Sequence, residues 1–355
     1  MVTSAPQPDR AGGAGPPTVS RRQFLRRSAS VGSGAALGST LAKLTTLSGV
    51  AALPAAASGL LAACSSSEPI VAPTVVPLFS PDRILAAGLE QRIPLGVVTP
   101  SAGDAGFDEG RVALPADDSP IDVAILLDGE EIDRSTVIGR IVTHDHVGKT
   151  DPDHQHANLF RYYPLRATLP RAGIYDLEIT VTDELTEETA VAMMPVQIFD
   201  PVDVTAPLPG APFPVVDTPT VQDPGEIDRL CTRFELCPFH TRSATDVLAE
   251  GRPMALLVAT PAFCSTAYCG PVLDTLIEAG RGFPEIEFVH VEVYANTDEV
   301  EGNYQDPRIR LAPAVEALGL TFEPALFLVD SAGMLVDRID NVFDGTELVE
   351  ALAGL

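Results

Sequence analysis

A proline-rich stretch at residues 201–224 constrains the fold of this chain more than any other feature of its sequence. Proline fixes its own φ angle and lacks a backbone N–H, so it interrupts helices and the middle of sheets. Between its two terminal prolines the stretch holds five more: Pro207, Pro209, Pro212, Pro214 and Pro219. We therefore predict a semi-rigid linker and a domain boundary, with differently built units on its two sides.

The region before the linker, residues 91–200, consists of short segments in which apolar and polar residues alternate. One such segment places Tyr175, Leu177 and Ile179 on the same face, as a half-buried strand requires. Turn residues separate it from similar segments at 121–127, 165–169 and 191–198. This pattern predicts an all-β domain, and we interpret it as an immunoglobulin-like sandwich.

The region after the linker, residues 225–355, alternates between helical and strand patterns. Helices are predicted at 243–250, 269–279, 309–318 and 345–352, and strands at 254–259, 286–294, 325–329 and 334–339. The strands are mostly continuous apolar runs, which is typical of a sheet covered by helices on its faces. The order predicts an α/β domain.

The first 63 residues resemble an export signal. The run Ser20-Arg21-Arg22-Gln23-Phe24-Leu25 resembles the twin-arginine motif, and a stretch rich in Ala, Gly, Ser and Leu follows it. Leu61-Ala62-Ala63-Cys64 then resembles a lipobox. The resemblance implies that Cys64 is acylated and attaches the exported protein to a membrane, with residues 64–90 as a tether.

Two other interpretations of this N-terminal segment remain open. Ordinary signal peptidase cleavage near residues 55–57 would leave Cys64 as a free thiol in a secreted protein. A membrane-spanning anchor is disfavoured, because Lys43 and Pro54 interrupt the apolar stretch. Acylation at Cys64 and ordinary signal peptidase cleavage would both place the protein outside the cytoplasm.

The exported part is strongly acidic. The whole chain has 23 Lys and Arg residues against 49 Asp and Glu, and residues 1–63 hold six of the basic residues and one of the acidic ones, which leaves a net charge of −31 on the rest. Such a surface repels phosphates and gains nothing from counterion release. We therefore exclude nucleic acid as a partner.

The motif Tyr268-Cys269-Gly270-Pro271, between a predicted strand and a predicted helix, resembles the start of a thioredoxin active site. Glu323-Pro324-Ala325, just before a later strand, resembles the cis-proline loop of the same superfamily. The resemblance implies a thioredoxin-like fold for the last domain, a redox role for Cys269, and a role for Pro324 in docking the partner chain. A thiol at a helix N-terminus also has a lowered pKa, because unpaired N–H groups and the helix dipole stabilise the thiolate.

The second cysteine departs from the thioredoxin pattern. Val272 stands where a thioredoxin has its second cysteine, and the nearest partner, Cys264, precedes Cys269 in a C-x4-C spacing. Five residues on a regular helix rise about 7.5 Å, so for the two sulfurs to bond either Cys264 lies in the preceding loop or the first turn of the helix unwinds. Peroxiredoxin Q-like enzymes share this spacing, which implies Cys264 as the attacking thiol, but they have Thr or Ser where this chain has Pro261.

Less specific interpretations of the cysteines also remain open. Cys264 and Cys269 could form a structural disulfide, or stand as buried thiols on a redox fold without activity. We predict a disulfide that staples a loop for Cys231 and Cys237, because exported proteins favour disulfides. The alternative for this second pair is a relay of electrons to Cys264 and Cys269.

Four of the six histidines lie in one acidic, polar segment: His144, His146, His154 and His156. Two H-x-H pairs could bind copper or zinc, although a solvated polar loop is the simpler interpretation. A metal-binding lipoprotein with a thioredoxin-like domain would be similar in domain plan to Sco-type copper chaperones, which carry C-x3-C. We place His290, on a predicted strand, outside the site.

The function predicted from the sequence is a membrane-tethered, extracytoplasmic thiol-disulfide oxidoreductase acting on thiols or disulfides of envelope proteins. No cofactor is required for that chemistry, and copper or zinc would bind only in the histidine-rich loop. The alternatives are a peroxiredoxin-like peroxide reductase, a copper or zinc carrier, and a non-catalytic binding lipoprotein on a thioredoxin scaffold.

Overall fold

The structure is a computed structural model, and it describes residues 74–80, 82–98, 120–145, 157–182, 189–266, 268–303 and 305–355. The predicted signal segment and Cys64 lie outside the described residues. Within those residues, no helix is both long and apolar enough to cross a lipid bilayer.

The described residues before the linker form eight strands: β1 Thr74–Pro77, β2 Glu90–Val98, β3 Pro120–Leu127, β4 Glu130–Ile138, β5 Arg140–Asp145, β6 Ala157–Thr168, β7 Gly173–Thr182 and β8 Thr189–Ile198. They make two four-stranded antiparallel sheets, with strand orders β1-β2-β6-β5 and β4-β3-β7-β8. The side chains of β7 alternate between buried and more exposed, as the sequence pattern predicts. Alternate residues of both sheets pack into one apolar core.

The predicted tether, residues 64–90, differs from the structure from residue 74 onward. Residues 74–77 pair with β2, and an isolated bridge joins Ala86 to Phe199. Ile84 and Leu85 are buried in the apolar core. Burying these apolar side chains against the sheets is more favourable in free energy than leaving them in water, as a solvated tether would.

The proline-rich segment contains one short 3-10 helix, Pro201–Asp203, and no longer helix or strand among residues 201–224. It is nevertheless packed against the rest of the molecule. Phe213 is buried with its ring centroid 5.4 Å from that of Phe327, and the Gly210 N–H donates to the Leu335 carbonyl over 2.7 Å. The segment therefore joins the two parts of the molecule as a packed connection.

The part after the linker is a mixed sheet with four helices. Its strands are β9 Met254–Val258, β10 Glu287–Val291, β11 Ala325–Val329 and β12 Leu335–Asp340, and its helices are α1 Ala244–Ala249, α2 Cys269–Gly280, α3 Pro313–Ala317 and α4 Gly345–Leu352. The strand order is β10-β9-β11-β12, with β10 parallel to β9 and the other neighbours antiparallel. β9 and β11 are buried along their whole length, which explains their unbroken apolar sequences.

A buried ion pair joins the two parts. The Arg92 guanidinium on β2 contacts the Glu347 carboxylate on α4 over 2.6 Å, with 1% and 7% of the two side chains exposed. The Tyr162 hydroxyl on β6 donates to the same carboxylate over 2.7 Å. Burial opposes the charged form of Glu347, but the Arg92 guanidinium lowers its pKa. The carboxylate is therefore held between both parts of the molecule.

Candidate active site

The loop between β9 and α2 carries Cys264, and α2 begins at Cys269. The helix buries Val272, Leu273 and Leu276 against the sheet, which fixes the position of its first turn. All described cysteines, including these two, are free thiols. Cys264 lies before the helix, which is one of the two arrangements that the C-x4-C spacing allows.

The Cys264 thiol has the environment of a reactive nucleophile. It is half-buried, the Cys269 N–H donates to its Sγ over 3.3 Å, and the Thr266 hydroxyl lies 3.3 Å from the same sulfur. Burial alone would raise its pKa, but the hydrogen bonds from Cys269 and Thr266 outweigh burial and lower the pKa of Cys264 to about 6. A free thiol with a pKa near 6 is mostly thiolate at neutral pH.

Cys269 has the opposite character, which corrects the expectation that its own thiol would be the one stabilised at the helix N-terminus. Its side chain is fully buried, and burial together with the Cys264 sulfur raises its pKa well above the ordinary value. The first N–H of α2 is directed at the Cys264 sulfur instead. The helix N-terminus therefore stabilises the thiolate of the preceding loop.

The Glu323–Pro324 peptide bond is cis, as in the loop that the sequence resembles. Pro324 is buried, and its carbonyl accepts a hydrogen bond from the Asn341 N–H over 2.8 Å. That carbonyl is therefore occupied within the chain. Glu323 connects this loop to the loop that carries Cys264. Its Oε1 accepts hydrogen bonds from the Ser265 N–H and hydroxyl over 3.1 and 2.8 Å.

Glu323 is a buried carboxyl group that the sequence did not single out. It is 1% exposed, and its Oε2 has no hydrogen-bond partner. Burial, and next the charge on Cys264, raise the pKa of Glu323 to about 8. The charge on Glu323 in turn helps to raise the pKa of Cys269. The two thiols and this carboxyl therefore form one electrostatically coupled group.

Four further buried side chains meet beside this site: Cys231, Cys237, His240 and His290. Their ligand atoms all lie within 4.8 Å of one another. His290 Nδ1 lies 3.2 Å from His240 Nε2 and 3.5 Å from Cys237 Sγ. In the structure Cys231 and Cys237 are free thiols, in contrast to the predicted disulfide, and two imidazoles lie beside their sulfur atoms.

The ionisation of this cluster is strongly coupled. Hydrogen bonding with Cys237 lowers the pKa of Cys231, and the same contact, together with burial, raises the pKa of Cys237. Burial lowers the pKa of His240. Burial would also lower the pKa of His290, but the neighbouring Cys231 sulfur raises it.

The predicted histidine-rich metal site is almost entirely outside the described residues. His144 belongs to β5, whereas His146, His154 and His156 lie outside the described residues. A metal site at this loop therefore stays a prediction.

The sequence did not indicate that His240 and His290 would meet Cys231 and Cys237. Cys237-Pro238-Phe239-His240 is a C-x2-H spacing, and this local signal could have indicated a metal ligand set. His290 gives no local signal, because β10 brings it to the cluster from fifty residues further along the chain.

Comparisons with known proteins show no family. No protein-family model matches the chain, and no curated protein matches it. A solved structure, a thiol:disulfide interchange protein of the thioredoxin family from Chlorobium tepidum TLS, aligns with 42% of this chain and 98% of its own, at 13% identity and a TM-score of 0.28.

Proposed function

We propose that this protein is a thiol-disulfide oxidoreductase whose thioredoxin-like C-terminal part exchanges electrons through Cys264 and Cys269. One observation carries the proposal: the half-buried Cys264 sulfur accepts a hydrogen bond from the N–H of the fully buried Cys269, and the pKa of Cys264 is lowered while that of Cys269 is raised. An accessible thiolate next to a protected thiol is the arrangement that two-step disulfide exchange requires.

The first step is attack by the Cys264 thiolate on one sulfur of a substrate disulfide. A bond forms between Cys264 and that sulfur, the substrate disulfide breaks, and the departing thiolate takes a proton from water. The Cys269 thiol then loses its proton and attacks the Cys264 sulfur, which forms the internal disulfide and releases the second substrate thiolate. The substrate gains two electrons and the cysteine pair loses two, and the reverse sequence oxidises a substrate dithiol.

Glu323 is the group that receives the Cys269 proton in this scheme. The charge of Cys264 raises the pKa of both Glu323 and Cys269. That charge disappears once Cys264 is bonded to the substrate, so the carboxyl can ionise and Cys269 becomes easier to deprotonate. The unpartnered Oε2 of Glu323 supplies an acceptor for that proton.

The remaining parts of the proposal rest on the sequence. Twin-arginine export and acylation of Cys64 would place the enzyme at the outer face of a membrane, with envelope proteins as its substrates. The β-strand part would act as an immunoglobulin-like spacer or partner-binding module. Its two antiparallel sheets support that interpretation, and so does Tyr175, whose hydroxyl donates to the Arg171 carbonyl over 2.8 Å, as in a tyrosine corner.

The test is a trapping experiment with 5,5'-dithiobis(2-nitrobenzoate), an aromatic disulfide, on the full chain. In the wild type, Cys264 should release one nitrothiobenzoate on attack and a second when Cys269 closes the internal disulfide. Cys269→Ser should stop after the first release and keep the adduct on Cys264, as peptide mass spectrometry would show. Cys264→Ser is the matched control and should react slowly, because Cys269 is fully buried.

Two results would contradict the proposal. One is a stable adduct on wild-type Cys264 with no internal disulfide. The other is an equal reaction rate in wild type and Cys264→Ser. Rapid oxidation of Cys264 by hydrogen peroxide without reaction toward the aromatic disulfide would favour the peroxide reductase instead.

A further inference from the structure

We infer that four buried side chains form a closed, tetrahedral site for one zinc ion: Cys231, Cys237, His240 and His290. This site is separate from the cysteine pair proposed for redox exchange. It also differs from the histidine-rich loop at residues 144–156.

The spacing of the donor atoms fits a tetrahedral zinc ion. With Zn–S bonds of about 2.3 Å and Zn–N bonds of about 2.05 Å, tetrahedral geometry separates two nitrogens by about 3.3 Å and a sulfur from a nitrogen by about 3.6 Å. The observed separations are 3.2 Å between His290 Nδ1 and His240 Nε2, and 3.5 Å between His290 Nδ1 and Cys237 Sγ. The fourth donor, Cys231, lies within the same 4.8 Å limit.

A backbone contact orients the His290 ring for metal binding. Its Nε2 lies 3.0 Å from the Ala259 carbonyl oxygen, which can only accept a hydrogen bond, so Nε2 carries a proton. That leaves Nδ1 as the donor atom facing His240 and Cys237. A ligating histidine with its other nitrogen bonded to a backbone carbonyl is the usual second layer of a protein zinc site.

Charge and burial favour zinc with a structural role. The four residues are between 1% and 5% exposed. Two thiolates and one Zn²⁺ sum to zero charge, which removes most of the cost of burying ions here. A set of two thiolates and two imidazoles selects zinc over calcium or magnesium, and four protein ligands leave no position for a substrate.

The position of the site suggests what the ion would hold together. His290 lies on β10, an outer strand of its sheet, and its N–H donates to the Phe239 carbonyl over 3.1 Å. The segment that carries the other three donors therefore lies along that strand. Thr232 follows Cys231 directly, and its hydroxyl accepts a hydrogen bond from the Ala262 N–H over 3.1 Å. Ala262 lies two residues before Cys264. Through this contact, the ion would hold the loop that carries Cys264 in place.

The test measures the metal content of the purified full chain by inductively coupled plasma mass spectrometry, after dialysis against a chelator. We expect one zinc per wild-type chain and a loss of at least tenfold in Cys237→Ser and in His290→Ala. His144→Ala is the matched control and should keep its zinc. X-ray absorption of the wild type should show two sulfur and two nitrogen neighbours, which decides the question even if the ligand variants fail to fold.

Several outcomes would overturn the inference. They are a wild type without zinc, copper in place of zinc, or alkylation under denaturing, non-reducing conditions that finds Cys231 and Cys237 joined in a disulfide. Zinc that survives both ligand substitutions would also overturn it. Loss of zinc in His144→Ala alone would assign the metal to the histidine-rich loop instead.

Discussion

Replacing Thr266 by valine should raise the pKa of Cys264 and make its pH-rate profile cross that of the wild type. The Thr266 hydroxyl, 3.3 Å from the Cys264 sulfur, is one of the contacts that lower the pKa of that thiol to about 6. A hydrogen bond to a charged group contributes about 1.5 kcal/mol, which corresponds to about one pKa unit. We therefore expect a pKa of about 7 in Thr266→Val.

The magnitude follows from thiolate fraction and nucleophilicity together. At pH 6 the thiolate fraction should fall from about one half to about one tenth, while each thiolate becomes about threefold more nucleophilic because its pKa is higher. The variant should then react about twofold more slowly at pH 6. At pH 8 both proteins are mostly ionised, so the variant should react about 2.5-fold faster.

The assay is alkylation by iodoacetamide between pH 5 and 9, with Cys264 followed by peptide mass spectrometry in the reduced protein. Thr275→Val is the matched control. The Thr275 hydroxyl donates to the Pro271 carbonyl over 2.9 Å within α2, so this substitution removes a hydroxyl that is not bonded to the Cys264 sulfur. The control profile should overlay the wild type. A wild-type midpoint near pH 9, or a variant that is slower at every pH, would refute the reasoning.

Two further predictions concern stability. The pKa of Glu323 is raised to about 8 from an ordinary 4.5, so between these pH values the folded protein keeps a proton that the unfolded chain releases. The contribution of Glu323 to the free energy of unfolding is therefore present at low pH and is lost as pH rises from 5 to 8. In the reduced protein, Glu323→Gln should flatten that loss by on the order of 3 kcal/mol in urea unfolding, and parallel pH profiles would contradict the assignment. Arg92→Met should lower the free energy of unfolding by about 3–5 kcal/mol, because it leaves the Glu347 carboxylate buried without its cation. Arg166→Met, which breaks a more exposed pair with Asp337, should cost less than about 1 kcal/mol, and equal losses in the two variants would show that burial is not the cause.

Residue patterns were sufficient to predict most individual strands and helices. The alternation in β7 follows directly from the period of two in a half-buried strand, and the apolar run of β9 follows from burial on both faces. β1, β2, β4 and β5 were not predicted. β1, Thr74–Pro77, is only four residues long and is defined by its pairing with β2. Such a short segment has too few residues for a periodic signal.

The candidate site was predictable only in part. The C-x4-C spacing predicted either that Cys264 lies before the helix or that the first helical turn unwinds, and in the structure Cys264 lies before the helix. Spacing alone does not determine which thiol is accessible, because the burial of Cys269 depends on how α2 packs on the sheet. Glu323 and His290 join their clusters through contacts between distant parts of the chain, and a single sequence carries no information on such pairings.

The ion pair between Arg92 and Glu347 also bears on how a substrate of the proposed exchange would approach. Domains joined only by a loose connection swing freely, whereas here a charged pair, a shared apolar core and a packed proline segment all resist rotation. The reactive sulfur of Cys264 therefore keeps a constant orientation relative to the β-sheets. In the proposed exchange, a client protein would have to present its own sulfur atoms at that angle, so the joint between the two halves would select clients by geometry.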